Sequence, residues 1–111
     1  GDALSDGLDR LGEVQVLNLL APPEVAEALA EWLLERDDVP GFTSMPVSGH
    51  GSSERSMTLA EQVAGRSRRV LFLIQVPRET ARAILDDLGL AFRGAGLHYW
   101  LLPVIEGGHL G

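Results

Sequence analysis

The sequence predicts a single α+β domain whose six elements follow one another in the order β-α-β-β-α-β. Two runs rich in valine and leucine, VQVLNLLA and RVLFLIQVP, have the length and composition of central β-strands. Each run is followed by a segment whose apolar residues recur every three or four positions, as they do in an amphipathic helix. A length of 111 residues is sufficient for one domain with its own core.

The first half of the chain predicts a strand, a helix and a second strand. The strand covers residues 13–21 and is ended by two prolines, which also suit the start of a helix because proline is tolerated at the first helical position. The helix is predicted over residues 24–36, with glutamates on its outer face. A strand over 42–48 follows, and Pro46 places it at an edge of the sheet or at a bulge.

The second half repeats this order. Residues 69–77 form the clearest strand of the chain, and residues 80–88 have helical spacing, with Gly89 suited to a helix C-cap. A glycine-rich turn over 92–96 leads into a last strand over 97–105. The resulting order is the ferredoxin-like, or split βαβ, arrangement.

The ends of the predicted domain follow from the same pattern. Residues 1–12 show no clear period, so they are predicted to be a mobile tail. Residues 13–111 are predicted to form the single domain.

The composition excludes several classes of function. A net charge of −7 argues against nucleic acid as a partner, and the absence of cysteine favours the cytoplasm. All nine basic residues are arginine, so any anion must be held by arginine or by backbone N–H groups. No apolar run approaches the ~20 residues that span a membrane, so membrane insertion is not expected. No nucleophile motif or paired carboxylate predicts an enzyme.

Both faces of the two central strands are apolar, which a lone subunit does not require. The two helices of this arrangement lie on the same side of the sheet, so the other face should be polar if it meets water. That face is expected to carry Leu17, Leu19, Leu71 and Leu73, and soluble monomers rarely expose such a patch. We therefore expect a homo-oligomer whose sheets pack together. The alternative is that the N-terminal tail covers this face.

The segment between the second and third strands is longer than the connections usual in compact domains. Its sequence includes the capping box Thr58-Leu59-Ala60-Glu61, which predicts a short helix over 59–64. The serine-rich residues before it have the composition of a hinge. The loop 51–66 is therefore expected to adopt a definite shape in at least one state.

Three blocks of sequence resemble the PII-like signalling superfamily, and within it an uncharacterised branch often encoded beside heavy-metal efflux systems. The blocks are PVSGHG (46–51), LAEQVAGRSRR (59–69) and HYWLLPV (98–104). The resemblance implies a homotrimer of ferredoxin-like subunits with a mobile loop between strands 2 and 3. It also implies a small-molecule effector in the clefts between subunits, and a partner protein controlled by the loop. For this branch the implied partner is a membrane efflux transporter.

The matched positions imply a ligand cleft made of the root of the loop and the second glycine turn. The residues concerned are Ser48, Gly49, His50, Gly51, Arg93, Gly94 and Gly96. Backbone N–H groups of a glycine turn can cradle an anion, to which Arg93 can add a bidentate fork. The candidate effectors are an adenine nucleotide or another anion. The alternative is an ordinary tight turn beside a solvated arginine.

A basic cluster lies at the end of the loop. Arg66, Arg68 and Arg69 are predicted to contact a nucleotide phosphate or an acidic partner surface. The alternative is pairing with glutamates of a neighbouring subunit, which contributes little to stability where it is exposed.

The histidines allow a second class of function. His50 lies at the loop root and His98 in the last strand, and both are candidate ligands of copper or zinc. Neither belongs to a His-x-His or His-x3-His motif, and lone histidines are more often hydrogen-bonded structural residues. A metal site would therefore need ligands from different subunits. A divalent metal-binding protein for cation tolerance, similar to the CutA relatives of this fold, is the alternative function.

Overall fold

The computed structural model describes residues 12–51 and 67–111, and it confirms the predicted order of elements. The strands are β1 (Val14–Ala21), β2 (Thr43–Gly49), β3 (Ser67–Pro77) and β4 (His98–Pro103), and the helices are α1 (Pro23–Leu34) and α2 (Arg78–Ala91). The strands form one antiparallel sheet in the order β2-β3-β1-β4. This topology is the ferredoxin-like arrangement.

Each helix begins directly after a strand, and a proline precedes the first helical residue in both cases. Pro22 has the extended angles φ −61° and ψ 148°, and its carbonyl accepts a hydrogen bond from the N–H of Val25 at 3.2 Å. Pro77, with φ −59° and ψ 155°, precedes α2 in the same way. Since proline fixes φ near −65° and lacks an N–H donor, it ends the ladder and starts the helix at no cost in hydrogen bonds.

The second helix corrects the prediction that Gly89 forms a C-cap. Gly89 lies inside α2, which continues to Ala91 and ends at Phe92, whose N–H donates to the carbonyl of Leu88 at 2.9 Å. In the described part of the chain the only glycines with positive φ are Gly12, Gly94 and Gly96. Because Gly89 keeps a helical φ, the helix continues past it, and the chain turns only after Phe92, where Gly94 and Gly96 have positive φ.

The hydrophobic core lies between the helices and one face of the sheet. Its fully buried members from the two central strands include Leu17, Leu19, Phe72 and Ile74. The helices contribute Leu29, Leu33, Ala81, Ile84, Leu85 and Leu88. Phe42 packs against this core, and its ring centroid lies 5.8 Å from that of Phe72.

The other face of the sheet is apolar as expected, but its composition differs from the prediction. Leu17 pairs with Ile74 and Leu19 with Phe72, so both leucines point into the core and not away from the helices. The face turned away from the helices is called here the bare face. Its apolar residues are Val14, Val16, Leu20, Met45, Val47, Leu71, Leu73, Trp100 and Leu102. Trp100 is 40% exposed and Leu102 51% exposed, so a large apolar surface meets solvent in the single chain.

Two polar contacts hold the ends of the helices. The guanidinium of Arg36 donates to both carboxylate oxygens of Asp38 at 2.8 Å and to Asp87 of α2 at 2.7 Å. At the start of α2, Arg78 donates to the carbonyl of Gly12 at 3.0 Å, and Gln15 donates to the same oxygen at 2.7 Å. Gly12, predicted as the last residue of the mobile tail, is therefore fixed to the domain.

No helix among the described residues has the length and apolar composition needed to cross a membrane.

Candidate functional site

The two predicted halves of the ligand cleft lie at the same end of the sheet but at opposite edges. β2 ends at Gly49, which pairs with Ser67 at the start of β3. β4 begins at His98, which pairs with Leu20 near the end of β1. Two strands separate β2 from β4, so the halves are about 14 Å apart across the sheet. A single chain therefore does not bring the loop root and the glycine turn together.

The loop root is held by a close approach of two strands. A Cβ atom at Gly49 would lie 2.9 Å from the hydroxyl oxygen of Ser67, closer than a side chain is normally placed. Ser48 pairs with Arg68 on the helix side of the sheet, and the side chain of Arg69 points to the opposite side. Arg69 donates to the carbonyl of Arg68 at 2.7 Å. His50 and Gly51 follow the strand directly.

Several predictions for the long loop fall outside the described residues. Arg66, the capping box at Thr58 and the short helix over 59–64 all belong to residues 52–66. They stay predictions.

The glycine turn has the backbone conformation that its sequence requires. Gly94 has a φ of +76° and Gly96 a φ of +79°, both in the left-handed region that favours glycine. The N–H of Ala95 donates to the carbonyl of Phe92 at 3.1 Å, which closes the turn. The side chain of Arg93 is exposed beside it. The turn thus places one guanidinium next to two glycines at the entrance to β4.

A cleft of about 350 Å³ lies between α2 and the edge strand β4 and includes the turn. We call it the helix-side cleft. Its lining residues are Leu19, Arg82, Leu85, Leu88, Gly89, Phe92, Arg93, Gly94, Gly96, Leu97 and Tyr99. Most of this lining is apolar, and the charged side chains within it are two arginines. No aspartate or glutamate of the described segments lines it.

The two histidines lie at opposite edges of the sheet in one chain. His50 follows β2, and His98 is the first residue of β4. Within residues 12–51 and 67–111, no group of three histidine, cysteine, aspartate or glutamate side chains converges as a metal site would require. A site that uses both histidines would take them from two chains.

The ionisable side chain with a marked shift lies away from the cleft. The Arg36 guanidinium, hydrogen-bonded to Asp38, holds the pKa of that carboxyl below its usual value. The two carboxylates raise the pKa of Arg36 in turn. Arg36 also lies over the ring of Trp32, 4.9 Å from its centroid. This cluster joins α1 to α2 and has a structural role.

Comparison with known proteins assigns the chain to a family. A family model described as "Protein of unknown function (DUF3240)" matches residues 12–111. The chain belongs to the DUF3240 family. No curated protein matches its sequence.

Two solved structures are similar to this DUF3240 protein over most of its length. A crystal structure of a DUF3240 family protein from Shewanella baltica OS155 has a TM-score of 0.73 and 24% identity, covering 89% of this chain and 98% of that one. CPII, a nitrogen regulatory PII-like protein from Thiomonas intermedia K12, has a TM-score of 0.63 and 20% identity, covering 87% of this chain and 96% of that one. Its structure was determined with ADP, AMP and bicarbonate bound. The DUF3240 protein therefore has a PII-like, ferredoxin-like fold.

Sequence reasoning found the turn of this DUF3240 protein but missed the cleft beside it. Arg82 and Tyr99, which line this cleft, are not among the site residues predicted from the sequence. Arg82, Leu85, Gly89 and Phe92 recur at helical spacing, which places them along one side of α2. That spacing was the available signal. It carries no information on the strand that lies opposite.

Proposed function

We propose that this chain is a PII-like regulatory protein that assembles as a homotrimer and binds a small anionic effector between its subunits. An adenine nucleotide is the proposed effector. Binding changes the population of conformations of loop 51–66, which then binds or releases a partner protein. The proposal assigns no catalytic residue.

The observation that supports this function best is the fold shared with CPII over 87% of the chain. That PII-like protein has ADP, AMP and bicarbonate bound in its structure. The chain also has a left-handed glycine turn beside an arginine, an arrangement suited to an anion.

The trimer is supported by two features of the single chain. The bare face leaves a largely apolar surface on the sheet, and other copies of the sheet can cover it. The loop root and the glycine turn lie on opposite edges of the same end of the sheet. When copies are arranged side by side around an axis, the loop root of one copy meets the glycine turn of the next. The cleft is thereby completed by assembly.

Each predicted residue has a role in this cleft. Gly94, Gly96, Gly49 and Gly51 keep the backbone open to the ligand, and Ser48 and His50 supply hydrogen bonds from the loop root. The guanidinium of Arg93 binds the phosphate or carboxylate of the effector. We assign Arg66 and Arg68 to the same anion or to an acidic surface of the partner. The partner that the resemblance implies is a membrane efflux transporter.

The experiment that tests this function is calorimetric titration of the purified chain with ADP, AMP and ATP. We expect binding that weakens about tenfold or more in Arg93→Ala, since a charge-assisted hydrogen bond contributes about that much. The nucleotide affinity of Arg93→Lys should lie between those of wild type and Arg93→Ala, because lysine keeps the charge but cannot form a bidentate contact. Arg82→Gln is the matched control, because it removes an arginine from α2 and leaves the turn intact. Unchanged affinity in Arg93→Ala contradicts the proposed site.

A parallel titration with zinc and copper tests the alternative, a CutA-like metal-binding protein. That function requires metal binding that is lost in both His50→Ala and His98→Ala. Nucleotide binding without metal binding supports the regulatory function.

A further inference from the structure

The two arginines that line the helix-side cleft are well separated along α2. Arg82 lies in the first half of α2 and Arg93 lies just beyond its last turn, which places their Cα atoms roughly 15 Å apart along the helix. Between them the wall is made of Leu85 and Leu88, which are almost fully buried, and the floor includes Leu19. Tyr99 of the edge strand lies opposite.

The charge of this cleft is opposite to that of the chain. The sequence contains 16 acidic and nine basic residues, and yet the charged groups that line the cleft are both arginines. Arg93 forms no ion pair within the described segments. Arg82 is paired only with Asp86 on its own helix, at 3.3 Å, where both side chains are more than half exposed. Such a pair contributes little, so either guanidinium is available to an anion.

The size and the lining of the cleft restrict the ligand further. Small-molecule sites are typically apolar clefts of about 300–1,000 Å³ with a few polar groups that fix orientation. The helix-side cleft, at about 350 Å³, lies at the lower end of that range. Leu97 is half-buried and Tyr99 is exposed in this cleft, so a hydrocarbon chain would cover apolar surface there that a polyphosphate would leave in contact with water.

We propose that the helix-side cleft is a second ligand site, within one chain, for a small organic monoanion with a linear apolar body, of the medium-chain alkyl carboxylate class. The carboxylate binds the guanidinium of Arg93 or Arg82, and the hydrocarbon chain lies against Leu97 and Tyr99. The site needs no second subunit. It shares the turn with the proposed intersubunit cleft, whereas Arg82, Leu97 and Tyr99 belong to the helix-side cleft alone.

Titration of the full chain with octanoate, 1-octanol and acetate separates the two requirements of this site. Octanol has the apolar body without the charge, and acetate has the charge without the body. We expect octanoate to bind at least tenfold more tightly than either. From butyrate to octanoate, affinity should rise about fourfold for each methylene that becomes buried. Octanol binding as tightly as octanoate would overturn the proposal.

Substitutions locate the site independently of the bare face, which could also attract an apolar anion. Gly89 lines the cleft, is helical, and has open space where a Cβ would lie. Gly89→Leu should block the cleft and abolish octanoate binding without loss of fold, because leucine favours a helix more than glycine. Gly89→Ala is the matched control and should retain most binding. Arg82→Gln and Arg93→Gln should each weaken octanoate binding severalfold. An octanoate affinity unchanged in Gly89→Leu contradicts the proposal.

The same variants distinguish this site from the intersubunit cleft. ADP affinity should be unaffected by Arg82→Gln, which alters only the helix-side cleft. If the chain binds ADP but not octanoate, the helix-side ligand site is contradicted and the proposed function is not. If it binds octanoate but not ADP, the proposed function is contradicted and the helix-side site is not.

Discussion

At the scale of single residues, the glycine turn before β4 depends on backbone angles that other residues avoid. Gly94 and Gly96 have φ values of +76° and +79°, and nothing lies within 4 Å of a Cβ built on Gly94. Space is therefore not what excludes a side chain at Gly94. The left-handed backbone conformation excludes a side chain there, because it costs an ordinary residue roughly 1–2 kcal/mol.

We expect Gly94→Ala to lower the free energy of unfolding by about 1 kcal/mol and to weaken effector binding, because the turn must either strain or change shape. Chemical denaturation and titration with ADP measure the two effects.

Gly89→Ala is the control for this variant, since it makes the same chemical change inside a helix. It should raise the free energy of unfolding by about 0.5–1 kcal/mol. If both variants changed stability in the same direction, the left-handed turn would be refuted.

At the scale of elements, the sequence predicts each strand and helix found in the described residues, because each has its own period and most are bounded by proline or glycine. What it does not determine is which face of a strand points inward. In β1 both faces are apolar, so alternation alone could not place Leu17 and Leu19. The choice depends on the register with β3, a long-range property that only the folded sheet reveals. Gly89 was assigned wrongly because a glycine near the end of a helical pattern can lie either at the C-cap or inside the last turn, and the sequence does not distinguish the two.

The cleft beside the turn could be predicted only in part. The glycines and Arg93 are adjacent in sequence and mark a turn by themselves. Arg82 and Tyr99 come from different elements, and their common location follows from the position of β4 beside α2 in the folded chain.

The contact between Arg36 and two carboxylates fixes the end of α1 against α2. The Arg36 side chain is only 16% exposed and is bonded to both oxygens of Asp38 and to Asp87. We expect Arg36→Ala to lower the free energy of unfolding by about 1–2 kcal/mol, since several charge-assisted hydrogen bonds are lost at a partly exposed site. Thermal and urea denaturation measure the loss.

Arg82→Ala removes an exposed arginine that is paired on one helix, and it serves as the control for Arg36→Ala. It should change stability by less than about 0.5 kcal/mol. If Arg36→Ala and Arg82→Ala lowered the free energy of unfolding equally, the contact of Arg36 between the helices would contribute no more to stability than an exposed ion pair.

The contact between Arg36 and Asp38 also predicts how the free energy of unfolding depends on pH. Arg36 lowers the pKa of Asp38 in the folded chain, so the unfolded chain binds a proton at this site more readily. The stabilisation is complete above the ordinary aspartate pKa of about 4, and it is lost as the pH falls through the lowered folded value. We expect Asp38→Asn to be less stable than wild type at pH 7 and to show a smaller further loss below pH 4. Melting temperatures across this range test the sign.

At the scale of the whole molecule, the bare face links the fold to the proposed function. Trp100 and Leu102 of β4 lie on it with Leu71 and Leu73 of β3, and the described chain supplies no helix to cover them. Burial of such a surface against other copies is favourable, by about 25 cal/mol for each Å² removed from water. In the proposed trimer, the loop root of one copy lies near the glycine turn of another. The proposed function therefore makes effector binding depend on assembly through this face.

A charged residue on the bare face should separate the copies. Leu102→Glu places a carboxylate on that face, and Leu34→Glu makes the same change at the end of α1, where Leu34 is 72% exposed on the helix side. We expect the first variant to dissociate and the second to assemble as wild type. Size-exclusion chromatography with light scattering compares the two, and dissociation of both would remove the bare face from the interface.

Sedimentation equilibrium of the wild-type chain at tens of micromolar tests the central claim most directly. The account predicts a species of three times the 11.9 kDa chain mass. A stable species of one chain mass across that range would contradict it, because the cleft between loop root and glycine turn would then not exist.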